Sequence, residues 1–328
     1  MEKRQPGLDL IRCMAFLFVL IFHSYLYNGF YYEPQTGVLM WLTNSVRWFS
    51  VSCIGLFLML TGYLRKDRTD AASCLRSLGG VLNGYLVASV ISIPVRHFLH
   101  GDQRSLAEWV SALLQFRGVY YGWYVEMYVG LILMSPFVNL ALERSCEVGK
   151  LPHLLLAMVF LTALPGATPL DIAPDHWRTL YPVVYYLLGT AIRLYQPQFR
   201  SSACIGVALL LSLGLGAVTV LSTDETIGQA FTQEFGDLWI CLICVCLFIG
   251  LYRFQHGSRI LAFCAGGCYG GYLLSHLFDG VCYGLFPQLH SPEGNPLLFL
   301  CVTVPIFFLC IGMGNCLERL TGRRGWGR

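Results

Sequence analysis

Residues 8–27 read LDLIRCMAFLFVLIFHSYLY, an apolar run long enough to cross a bilayer, with Asp9, Arg12 and His23 set into it. At about 100° per residue, the eleven steps from Arg12 to His23 overshoot three full helical turns by only about 20°. The two side chains therefore share one face of a helix. A rise of about 1.5 Å per residue puts them about 16 Å apart along its axis. Asp9, three residues before Arg12, lies on that face within ion-pairing reach. Ionisable groups at membrane depth are costly, face a protein interior or a water-filled cavity, and mark functional paths. The spacing predicts a helix that lines a site.

The rest of the chain agrees with a membrane setting. Of 328 residues, 55% are hydrophobic and 12% charged, against roughly a quarter charged in soluble domains, and the mean hydropathy is +0.58. The expected fold is all-α, a polytopic transmembrane helical bundle. Apolar runs of span length fall at residues 8–27, 48–64, 78–98, 123–142, 151–164, 180–194, 204–221, 238–252, 260–286 and 297–316, about ten spans, of which the fifth and sixth are short. Pro94, Pro136 and Pro305 lie inside spans, where neighbouring helices satisfy the freed carbonyls. The first run is too long for a cleavable leader and no small-residue cleavage site follows it. Residues 1–328 are therefore expected to form one integral membrane domain with no soluble domain attached.

Charge placement gives an orientation. Sixteen of the 22 lysines and arginines fall on alternate connections beginning with the N-terminal one, five fall on the others, and Arg12 is inside a span. By the positive-inside rule both termini are expected to be cytoplasmic. The net charge of +3 is too small to imply a nucleic-acid partner, and the lipid bilayer is the expected surrounding. The fourteen cysteines are scattered through apolar runs and read as small buried hydrophobes. Cys241 and Cys244 form a C-x-x-C inside a span, without the second pair a zinc site requires, so no metal is expected.

The other ionisable residues within spans are Glu126, His276 and Asp279, all assigned with His23 to the outer half. Arg12 belongs to the inner half, near the polybasic stretch LRKDR that carries Arg65, Lys66 and Arg68. Close-set cations there suit the phosphates of a polyanion, or are ordinary inner charge drawn to anionic lipid. His23 has the chemistry for proton transfer near neutral pH, or is a hydrogen-bonding partner between helices. Glu126 pairs with a cation or orients a histidine, or is simply solvated. Tyr269, Tyr272, His276 and Asp279 recur at spacings of 3, 4 and 3, a polar stripe read first as structural. GGCYGG at residues 266–271 reads as close helix packing. Tyr25, Tyr27, Tyr31, Tyr32, Trp41 and Trp48 read as an interfacial aromatic belt, and SLAEWVSALLQF at residues 105–116 as an amphipathic surface helix that could roof a cavity.

Four blocks, in order, resemble one family. Leu8-Asp9-Leu10-Ile11-Arg12 followed by His23 looks like the Arg-x10-His opening of the acyltransferase family 3 membrane proteins. FLMLTGYL at 57–64, GWYVEMYVGLILMSP at 122–136 and CYGGYLLSH at 268–276 resemble their second, Trp-Tyr-Leu and Gly-x-Tyr-Leu helices. The resemblance implies a membrane-bound O-acyltransferase, multi-pass in the plasma membrane of a bacterium. Its donor would be cytoplasmic acetyl-CoA or another acyl-CoA, and its acceptor a hydroxyl of a cell-envelope glycan or lipid-linked sugar. Carried residue by residue, it implies His23 as the catalytic group with Glu126 assisting. Arg12, Arg65, Lys66 and Arg68 would hold the CoA phosphates, supported by Asp9, Tyr272 and Asp279. The family's Arg-Arg-x-x-Arg maps only loosely onto Arg65, Lys66 and Arg68. The ninth-span histidine stands one residue off the Tyr-Leu-x-His pattern, so no catalytic role passes to His276. The same charges in a bundle also fit a rival, a transporter or flippase for a small polar solute or lipid-linked saccharide.

Overall fold

The computed structural model describes residues 4–27, 30, 34–65, 70–99, 101–163, 174–222, 235–278 and 296–322. Among them every regular element is helical. In chain order these are α1 (Pro6–Tyr27), α2 (Gly37–Val51), α3 (Cys53–Arg65), α4 (Ala71–Leu99), α5 (Leu106–Leu114), α6 (Gly122–Glu147) and α7 (Leu151–Ala163). A short 3-10 turn (Asp175–Leu180) then leads into α8 (Tyr181–Tyr195), followed by α9 (Ser201–Leu221), α10 (Leu238–Leu251), α11 (Arg259–Leu274) and α12 (Pro296–Leu320). Each of the ten apolar runs overlaps a helix over its described residues; residues 164 and 279–286 of those runs lie outside them. Among the described residues, six helices are long and apolar enough to cross a membrane: Pro6–Tyr27, Gly37–Arg65, Ala72–Phe98, Gly122–Glu147, Ser201–Leu221 and Val302–Leu320. Leu151–Ala163 and Leu238–Leu251 are apolar but shorter.

The second span differs from the expectation of residues 48–64. Its helix begins eleven residues earlier and is interrupted only at Ser52, between α2 and α3. There the hydroxyl bonds back to the Phe49 carbonyl at 2.6 Å, the kind of local competition that bends a helix. The earlier start also corrects the aromatic belt. Trp48 is 1% exposed and donates to the Thr219 hydroxyl at 3.1 Å, while Trp41 donates to the Leu213 carbonyl at 2.9 Å. Both indoles fasten α2 to α9. Tyr25 is likewise buried, donating to the Thr43 carbonyl. Tyr31 and Tyr32 lie outside the described residues.

Helix α1 is the centre of the bundle, packed by α2, α3, α10, α11 and α12. Pro6 suits its first turn because the missing N–H is one the helix leaves unpaired there anyway. Ile11, Ala15 and Phe16 are wholly buried, so this helix has protein on nearly every side, which is why it tolerates polar groups that a lipid-facing helix would expose. The tightest pair is α11 with α12, and GGCYGG is its seam. A Cβ on Gly270 would lie 2.8 Å from both the Cα and the carbonyl oxygen of Gly314. Neither backbone can move aside without separating the helices. Gly270→Val is expected to destabilise the bundle by about 1–3 kcal/mol, read as a lower thermal midpoint in detergent; an unchanged midpoint would contradict this packing.

Helix α5 is short and two-faced, burying Trp109 and Ala112 while Leu106, Val110 and Leu114 are exposed. It starts with a capping box: the Ser105 hydroxyl accepts from the Glu108 N–H, and Glu108 accepts from the Ser105 N–H at 2.7 Å. These bonds from Ser105 hold the Glu108 carboxyl below its ordinary range.

Candidate active site

The site is built outward from α1. Asp9 and Arg12 are both buried, and the Arg12 guanidinium donates to Asp9 Oδ1 at 3.2 Å. Asp9 Oδ2 accepts from Arg4 Nε at 2.5 Å, and Arg4 also reaches the Ala262 carbonyl at 2.9 Å. One carboxylate thus holds two arginines, one at the bundle's end and one inside it. Such a pair suits an interior because each charge compensates the cost of burying the other.

Arg12 lines a cavity of about 40 Å³ between α1, α3, α4, α6 and α11. At roughly 10–15 Å³ of such volume per water, it holds about three. Thr61, Tyr269, Tyr124 and Tyr272 are among its walls. Thr61 turns its hydroxyl to the Phe57 carbonyl, and Tyr269 donates to the Val81 carbonyl at 2.7 Å, so the walls are largely satisfied polar groups among apolar ones. Away from Arg12 the cavity meets a layer of aromatic rings. Tyr124 and Tyr272 are edge to face at 5.4 Å, and the Tyr272 hydroxyl donates to the Tyr121 carbonyl at 2.9 Å.

His23 lies beyond that layer. It is 7% exposed, and its imidazole stacks on the Tyr121 ring with centroids 3.9 Å apart. His276 is edge-on to the same ring at 6.0 Å and within electrostatic range of His23. Helix α11 ends at Leu274, and the His276 Nδ1 lies 3.1 Å from the Leu273 carbonyl. Two histidines, from the first helix and from the end of the eleventh, therefore flank one tyrosine. The Tyr121 hydroxyl also meets that of Tyr27 at 3.2 Å.

Local sequence explains why Tyr121 is there. Phe116 takes a left-handed conformation (φ 55°), and Gly122 comes so close to the Phe116 carbonyl that any side chain would collide with it. The tight turn delivers Tyr121 onto α1 and Tyr120 against His276 just before α6 begins. Arg96 of α4 holds this turn. It donates to the carbonyls of Arg117 (2.8 Å) and Gly118 (3.2 Å), pairs with Asp102 at 2.6 Å, and lies over the rings of Trp109 and Tyr120.

The sequence-derived candidates divide. Asp9, Arg12, His23 and Tyr272 converge on the axis just described. Arg65 does not line the mouth: it is buried at the end of α3, donating to Ser77 Oγ (2.9 Å) and Cys74 Sγ (3.1 Å). Its carbonyl accepts from Asn139, so this residue ties α3 to α4 and α6. Glu126 is exposed on α6 and, among the described residues, makes no hydrogen bond or ion pair; the cavity face of α6 is Tyr124, Val125 and Tyr128 instead. Lys66, Arg68 and Asp279 lie outside the described residues. Sequence reasoning passed over Tyr121 and set His276 aside. The signal for Tyr121 was present as the tyrosine pair directly ahead of the Gly-Trp-Tyr block. Cys241 and Cys244 are free thiols buried in α10.

Among curated proteins and among solved structures nothing matches this chain. One family does: the model of the acyltransferase domain matches residues 5–314, nearly the whole length, from Gln5 to Gly314 within α12. The match takes in Asp9, Arg12 and His23 on α1, the turn carrying Tyr121, and His276 after α11. By that match the chain belongs to acyltransferase family 3 and its chemistry is acyl transfer.

Proposed function

We propose that this protein moves an acyl group such as acetyl from acyl-CoA, presented at the Arg12 end of α1, to a hydroxyl of a cell-envelope glycan or lipid-linked sugar at the His23 end. In this reading the Arg12 end is cytoplasmic, the bundle makes ten crossings with both termini inside, and the protein resides in the plasma membrane. The observation that carries the reading is the arrangement along α1: a buried ion pair, then a narrow cavity, then a buried imidazole, on one helix face. A thioester donor has a polyanionic head and a long thin arm, and this order of groups matches it. The arm enters by displacing water and turning the rings that close the cavity.

The chemistry balances without a metal. His23 takes the proton of the acceptor hydroxyl, the oxygen attacks the thioester carbonyl, the C–S bond breaks as the C–O ester forms, and the proton passes to the departing thiolate. Tyr121 holds the His23 ring by stacking, which limits its rotation. His276, edge-on to Tyr121, adds a second titratable group beside that ring. The test is mass spectrometry of envelope glycans from cells with and without the gene. Loss of a mass equal to one acyl substituent is expected; an identical acylation pattern would defeat the proposal.

A further inference from the structure

A second depression opens at the end of the bundle where α1 begins. It has a volume of about 700 Å³, within the range of roughly 300–1,000 Å³ typical of small-molecule sites. Four separate stretches of chain build it. Tyr63 of α3 and Tyr252 after α10 form the floor, both buried, with rings 6.2 Å apart and edge to face. Arg4, Arg193 of α8 and Arg253 stand around it, and Gln196 adds an amide. The Arg193 guanidinium lies over the Tyr63 ring at 5.1 Å.

Two features mark this as a built site. Tyr63 is 4% exposed, yet among the described residues its hydroxyl makes no hydrogen bond, and the ring lines the depression. The hydroxyl itself is accessible from the basin, where it can bond a ligand. The second is continuity with the cavity above. Arg4 on the basin and Arg12 on the cavity are held by the same Asp9 carboxylate. A ligand seated in the basin therefore has its next groups directed past that ion pair towards the tyrosine layer.

We infer that this basin binds the phosphorylated nucleotide end of the acyl donor, with Arg4, Arg193 and Arg253 on its phosphates and the tyrosine floor against its base. This deepens the acyl-CoA reading and rests on it. Guanidinium forks match phosphate oxygens in pairs, and three of them around one concavity suit a ligand with several phosphate groups. Phosphate esters also occur on anionic lipid headgroups, but these lack a planar group for an aromatic floor. The inference adds cations at the open end to those expected for the donor's head; Arg65 is engaged by Ser77 and Cys74, and Lys66 and Arg68 lie outside the described residues.

The test uses the purified full chain and adenosine 3′,5′-bisphosphate as the probe, with binding followed by calorimetry. Stoichiometric binding is expected, weakened roughly tenfold for each of Arg193→Gln and Arg253→Gln because hydrogen bonds to charged groups are among the stronger ones. Arg144→Gln, remote and exposed on α6, is expected to bind as the parent does. Arg253 is exposed, so Arg253→Gln remains informative if the Arg193 variant fails to fold. Absence of binding to the parent chain, or binding by both basin variants as tight as the parent's, would overturn the inference. Repeating the titration in phosphatidylcholine and phosphatidylglycerol nanodiscs separates the two phosphate sources: equal affinity supports the nucleotide, and loss of binding only with the anionic lipid assigns the basin to headgroups and overturns it. Binding is read without turnover. A chain that binds the bisphosphate yet transfers no acyl group keeps the basin and loses the acyl-transfer reading; one that transfers acyl from acetyl-CoA but binds no bisphosphate loses the basin alone.

Discussion

Replacing His23 by alanine is expected to slow acyl transfer by about 10² to 10⁴-fold, the usual contribution of a positioned acid-base group. The fold should survive, because the imidazole rests against rings, chiefly Tyr121 at 3.9 Å, that can close part of the space. The check is release of labelled acetyl from acetyl-CoA to acceptor by the purified variant, with a size-exclusion profile confirming an intact bundle. His23→Gln keeps the volume and a hydrogen-bonding end but cannot cycle a proton at neutral pH, so it should fall with alanine rather than with the parent. Transfer at the parental rate by either variant would remove His23 from the chemistry and leave it as a packing residue.

The second large effect is on stability. Asp9 is the carboxylate between Arg4 and Arg12, and Asp9→Ala deprives a buried guanidinium of its counter-charge. Breaking a buried pair from one side costs about 3–5 kcal/mol, whereas replacing both partners by apolar groups of similar size is often close to neutral. The single variant should therefore unfold at a clearly lower temperature in detergent, and Asp9→Leu combined with Arg12→Met should recover much of the loss. The recovered double variant is expected to be stable and inactive, which separates what the pair does for the fold from what Arg12 does for the donor. If Asp9→Ala unfolded where the parent does, the pair would not be holding the end of α1 in place.

Those two residues show what was legible beforehand. Period and spacing alone put Asp9, Arg12 and His23 on one face of a span, because within a single helix geometry is fixed by residue number. Facing between helices is not fixed in that way. Helix α6 is apolar on its lipid side and on its protein side, so hydropathy gives no sign of which way Glu126 points, and it is exposed. Arg65 sits in a run of cations that reads as a surface loop, but the last turn of α3 carries it inward to Ser77 and Cys74. His276 is one residue away from the expected register and follows the break at Ser275, where α11 ends before the chain turns helical again at 276–278. The basin is still harder to read, since its arginines come from the first, eighth and tenth helices' ends and look in sequence like ordinary topogenic charge.

The aromatic layer between the cavity and His23 has a consequence for the cell. An enzyme whose two substrates approach from opposite faces of a membrane requires a passage, and a standing passage would conduct protons. Here the space beside Arg12 holds only about three waters, and the rings of Tyr121, Tyr124 and Tyr272 meet across its far end. On the proposed two-sided reading, the same tyrosines that hold the histidine would also close that passage between turnovers.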